Sequence, residues 1–142
     1  MKTLLAILLL FFQTGQSLDK WVCSENSEPL PNEQLARVKP RELKERAVAC
    51  AIPRLPGTFD GQGTVTVEVQ IDEEGNVRCA RVLSGSQHPI MRRAALEAAK
   101  KWKFEPLMVA GTAKPYVGIL ALIVHWDTDK SGKQCPKEKR RA

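Results

Sequence analysis

The sequence predicts an α+β fold: a small antiparallel sheet with one packed helix, in the order strand, strand, helix, strand, stapled by disulfides. Three observations carry that expectation. "GTVTVEVQI" alternates polar and apolar residues without a break, "AALEAAKKW" repeats small residues at helical spacing, and "GILALIVHW" is apolar on nearly both faces. A chain of 142 residues with 43% hydrophobic content has material for one modest core and no second one.

In the first strand Val65, Val67, Val69 and Ile71 point one way, and Thr64, Thr66, Glu68 and Gln70 the other. This pattern predicts one face against a core and one in water. "DEEGN" follows, with Gly75 free to take a positive φ, and "VRCARVL" returns as the second strand of a hairpin. Its apolar positions change phase between Cys79 and Ala80, which predicts a β-bulge.

After Ser84-Gly85, "SQHPIMRRAALEAAKKW" reads as a helix with Pro89 in its first turn and His88 as a cap or surface residue. Ile90, Met91, Ala94, Ala95, Ala98, Ala99 and Trp102 gather on one side, and Arg92, Arg93, Glu97 and Lys100 on the other. Leu96 falls among the charged residues and is expected to be exposed. The small face lets the helix lie close on the sheet. Trp102 and Phe104 are expected in the core, because large aromatics dominate the burial energy of a small domain. Pro106 is expected to stop the helix. In the closing strand, Gly118 to Trp126, the residues Leu120, Leu122, Val124 and Trp126 share one side, and Ile119, Ala121 and Ile123 the other. His125 reads as a satisfied histidine rather than a catalytic base.

The flanks are of different character. Residues 1–17, with Lys2, an apolar run from Leu4 to Phe12 and then Gly15-Gln16-Ser17, read as a cleavable secretory signal. The run is short for a membrane span, so an uncleaved inner-membrane anchor is the alternative. Residues 18–57 form a polar lead segment in which "RELKERAVACAI" predicts a short helix, with Leu43, Ala47 and Ala51 on one face and Pro53 and Pro56 ending it. The domain proper is placed at 58–127 and a basic tail at 128–142. Export to an oxidising compartment makes Cys23, Cys50, Cys79 and Cys135 disulfide candidates, and four cysteines allow three pairings. Their positions along the chain favour Cys50 with Cys79 and Cys23 with Cys135.

The charge balance, 22 Lys and Arg against 16 Asp and Glu for a net +6, falls short of a nucleic-acid signature. No Ser/His/Asp, Cys/His or paired-carboxylate pattern points to an enzyme. No Cys-x-x-Cys points to redox chemistry or a zinc site, and no cofactor is expected. The cations Arg92, Arg93, Lys100, Lys101 and Lys103 give the helix a basic face that would attract anionic envelope surfaces weakly.

Gly63, the turn from Asp72 to Val77, Ser84-Gly85 and Trp102-Lys103-Phe104-Glu105-Pro106 together resemble the C-terminal domain of TonB, the periplasmic energy transducer of Gram-negative bacteria. The resemblance runs from Gly63 to Trp126. It implies a periplasmic binding module linked to transmembrane transport. In that family the last strand is an open edge onto which a short receptor segment, the TonB box, adds as a further strand. Here the edge would comprise Gly118, Ile119, Leu120, Ala121, Leu122, Ile123, Val124, His125 and Trp126, with an outer-membrane receptor or another envelope protein as partner. The alternative is a structural envelope protein in which that strand pairs with its own copy in a homodimer. The sequence departs from the family upstream, where Leu55-Pro56 replaces the usual Tyr-Pro and the step to Gly63 is short. It also lacks the long Pro-rich spacer of a transducer, so coupling to proton-motive force by this chain alone is not expected.

Overall fold

The alternation after Gly63 becomes the central strand of a five-stranded sheet. In the computed structural model, residues 20–57, 61–85, 88–125 and 135 are described. The elements are β1 (Val22–Cys23), a short 3-10 turn (Asn32–Gln34), β2 (Ala36–Arg37), α1 (Pro40–Arg46), β3 (Ala47–Ala49), β4 (Gln62–Ile71) and β5 (Val77–Ser84). Then come α2 (Pro89–Lys101), β6 (Lys103–Phe104), β7 (Leu107–Val109), β8 (Thr112–Lys114) and β9 (Tyr116–His125). The main sheet has the order β1-β5-β4-β9-β2, and β3-β6 and β7-β8 form two small ribbons. The strand, strand, helix, strand core of the expected α+β fold is thus β4, β5, α2 and β9.

The core lies between this sheet and the two helices. Val65, Val67, Val69 and Ile71 of β4 are buried with Leu120, Leu122 and Val124 of β9 and the alanine face of α2. Helix α2 begins where His88 caps it, its Nδ1 accepting from the Ile90 N–H at 3.3 Å. It ends because Trp102 turns to an extended conformation, φ −67° and ψ 147°. Pro106 is not the stop, since the helix is over before β6 begins. Trp102 and Phe104 stack at 6.0 Å between centroids, almost wholly buried. The Trp102 indole N–H donates to the Ala51 carbonyl at 3.0 Å, which ties the end of the helix to the lead segment.

Several details differ from expectation, each for a tertiary reason. The face of β4 expected in water is covered at its later half, where Glu68 is 3% exposed and Gln70 1%, while Thr64 is exposed as expected. The lead segment lies over Glu68 and Gln70. The register of β5 shifts at two places, neither between Cys79 and Ala80: Arg78 is the extra residue between the pairs Gln70↔Cys79 and Ile71↔Val77, and Leu83 between Thr66↔Ser84 and Val67↔Val82. Leu96 is half-buried against the core, whereas Ile90 is exposed. The lead-segment helix stops at Arg46, and Ala47–Ala49 pair antiparallel with β6 instead of continuing it. The Glu105 N–H donates to the Arg46 carbonyl at 2.8 Å, so the remote strand β6 captures the end of that helix.

The cysteines join differently from the favoured pairing. Cys23 bonds Cys79, and Cys50 bonds Cys135. The cause is β1, which pairs antiparallel with β5 and sets Cys23 directly opposite Cys79. No helix among the described residues is long and apolar enough to cross a membrane. The run from Leu4 to Phe12, the expected signal and most of the basic tail lie outside the described residues.

Candidate functional site

One edge of β9 is fully used by its neighbour. Pairing with β4 runs without interruption from Tyr116↔Ile71 to His125↔Gln62. The opposite edge is covered at its start, where β2 lies parallel in the register Ala36↔Tyr116 and Arg37↔Val117. There the Val38 N–H donates to the Val117 carbonyl at 2.9 Å. A strand turns alternate peptide groups to opposite edges, so Ile119 and Ala121 present their backbone groups on the same side as Val117. Among the described residues, no strand pairs with this edge beyond Val117.

The two faces of β9 differ. Leu120, Leu122 and Val124 are buried, Ile119 is half-buried, and Ala121 and Ile123 are exposed. His125 is buried, and Trp126, expected to end the strand, lies outside the described residues. Gly118 admits α1: a Cβ there would come within 2.8 Å of Leu43 Cδ2. The start of the edge is therefore braced from the helix side by Leu43 and along the sheet by β2.

What holds β2 in place is a polar cluster on the covered face of β4. Glu68 accepts from Arg81 at 2.8 and 3.1 Å and from Asn32 Nδ2 at 2.9 Å, and it pairs with Arg37 of β2 at 3.5 Å. Gln70 accepts from the Leu30 N–H at 2.8 Å and donates to the Leu30 carbonyl at 2.7 Å and to Asn32 Oδ1 at 2.8 Å. Arg81 also lies over the Trp21 ring, 4.5 Å from its centroid. Among the described residues no buried side-chain nitrogen or oxygen lacks a partner, so covering these charges is compensated group by group.

At the foot of β9, Tyr116 donates its hydroxyl to the Glu105 carbonyl at 2.8 Å. Burial pushes its phenol up to about 12, against the pull of Arg46, whose guanidinium lies 6.0 Å from the ring. Among the described residues no group of three or more His, Cys, Asp and Glu could hold a metal ion.

The structure thus sets Gly118 to His125 of the expected edge in one strand, with Trp126 outside the described residues, and sets Trp102 and Phe104 away from it, in the core. Sequence reasoning missed β2 and the cluster of Asn32, Arg37, Glu68, Gln70 and Arg81. One signal was available. Cys79 shares the outer face of the hairpin with Glu68 and Gln70, so a partner cysteine had to bring chain across that face.

A family model described as Gram-negative bacterial TonB protein C-terminal matches residues 58–126. Protein TonB of Vibrio cholerae serotype O1 is 37% identical over 59 residues, which are 42% of this chain and 24% of that protein. The chain spans about a quarter of the length of that curated relative. The strands β4, β5 and β9 and the helix α2 all lie within the matched region. Residues 58–126 of this chain belong to the TonB C-terminal domain family.

Proposed function

We propose that this protein is an exported, TonB-like module of the cell envelope, linked to transmembrane transport, which docks an extended segment of an outer-membrane receptor or another envelope protein. The incoming segment adds to β9 beyond Val117. Main-chain hydrogen bonds from Ile119 and Ala121 supply affinity, and alternate side chains of the segment meet the exposed Ala121 and Ile123 face. The observation that carries this reading is the long β9, on whose second edge, among the described residues, β2 pairs at Tyr116 and Val117 and no strand pairs at Ile119 and Ala121. An open edge is a template for another chain. Because β2 occupies its start, the segment would sit end to end with β2 and engage the strand at Ile119 and Ala121. The reading is one of binding, without catalysis or a cofactor, and it places the mature protein in the periplasm.

The test is binding of labelled TonB-box-like peptides followed by fluorescence anisotropy. Ala121→Pro removes an N–H that faces outward and leaves the β4 ladder intact. It should weaken binding about tenfold, roughly the loss of one or two hydrogen bonds. An unaltered affinity, or no peptide bound at all, would overturn docking at this edge. Light scattering on the same samples addresses the alternative, since a dimer that excludes peptide would favour self-association.

A further inference from the structure

The opposite edge of the sheet carries a second concavity, one wall of which is supplied by Val22, a residue outside the family match. Val22 of β1 pairs with Ala80 of β5, whose side chain is buried on the helix side. Val22 therefore extends the inner face of the sheet past β5, beside the flank of α2. Between them lies a groove of about 410 Å³ lined by Val22, Pro89, Arg92, Arg93, Leu96, Glu97 and Lys100. The helical residues recur at spacings of three and four, so they form one stripe of α2. Leu96, out of phase with the buried alanines, packs partly against the core and makes the floor with the 38% exposed Val22. Among the described lining residues, Arg93 and Lys100 stand around it with the carboxylate of Glu97, and Arg92 is engaged in an interaction of its own.

We propose that this groove is a second docking site, which takes one apolar side chain presented on an acidic segment of a partner protein. Charge complementarity selects the acidic segment, because among the described lining residues Arg93 and Lys100 alone outnumber Glu97, and the chain carries a net +6. The concave form selects a peptide over a bilayer. Here the half-buried Leu96 lies among charged side chains of the lining, whereas insertion into lipid needs apolar groups that project beyond the charges. The Cys23–Cys79 bridge is part of the site, since it fixes the strand that carries Val22. With β1 and β9 separated by two strands in the sheet order, one molecule has room for two extended partners at once.

The experiment uses the full exported chain with its disulfides intact and a fluorescein-labelled probe, Gly-Asp-Glu-Leu-Glu-Asp-Gly. Saturable binding is expected, weakened about tenfold by Arg93→Glu combined with Lys100→Glu, and by replacing the leucine of the probe with alanine. It should also weaken as salt is raised, since the rim acts through screened charge. Leu96→Glu should abolish it, and the charge-reversal pair, on side chains at the surface, keeps the test valid if Leu96→Glu disturbs folding. Ala121→Pro should leave this binding unchanged, which separates failure here from failure at β9. Absent or non-saturable probe binding, or wild-type affinity in the charge-reversed protein, would overturn the proposal. So would Leu96-dependent sedimentation with phosphatidylglycerol vesicles in a protein that ignores the probe.

Discussion

Gln70 presents its carboxamide to Leu30 as though it were a peptide group, accepting from the N–H and donating to the carbonyl at 2.8 and 2.7 Å. A strand would make the same two bonds, but one side chain makes them across the sheet face. Gln70→Ala would leave both Leu30 groups and Asn32 Oδ1 without these partners under a covered surface. A loss of about 1 to 3 kcal/mol is expected in denaturant unfolding, the usual cost of an unsatisfied buried polar group. Tyr116 offers a second test at this scale. Its phenol is raised from 10.0 to about 12, chiefly by burial. Keeping it neutral contributes stability that is complete below pH 10 and is lost as pH rises from 10 towards 12. Tyr116 is the only tyrosine in the chain, so phenolate absorbance reports it alone. Ionisation near pH 10 in the folded protein would contradict its burial.

Among the elements, those set by local periodicity were legible and those set by distant partners were not. The valines of β4 and the alanines of α2 announce their faces, because each pattern follows from the geometry of its own strand or helix. Ala47 fits the helical spacing equally well, yet it joins β3 because Phe104, far along the chain, lies opposite it. Strands β1 and β2 are two residues long and have no period to read. Their existence depends on Cys79, Glu68 and Val117, which only the folded sheet brings near. The Cys23–Cys79 bridge should accordingly carry much of the attachment of β1. It closes a separation of 56 residues, for which loop entropy gives about 4 kcal/mol. Replacing both cysteines by alanine should lower the unfolding free energy by about that amount; an unchanged midpoint would mean that the polar cluster suffices.

For the molecule as a whole, the matched region is legible as a TonB-type domain, while the surfaces that distinguish this chain come from residues 20–57. They cover the outer face of β4, close the start of the β9 edge, and supply one wall of the groove beside α2. The last strand could be located from the sequence because it is long and apolar, and its role as a docking edge is what the resemblance to TonB implies. How much of it stays open could not, since β2 is invisible until the sheet exists.

The two bridges also interleave, in the order Cys23, Cys50, Cys79, Cys135. Any single backbone cut between residues 23 and 135 therefore falls inside at least one covalent ring, and the pieces stay joined. A protease that nicks this protein once in that interval should release no fragment on a non-reducing gel and two on a reducing one. In the envelope location proposed for this protein, crossed bridges would turn one cleavage from a loss of parts into a wound that leaves the chain whole.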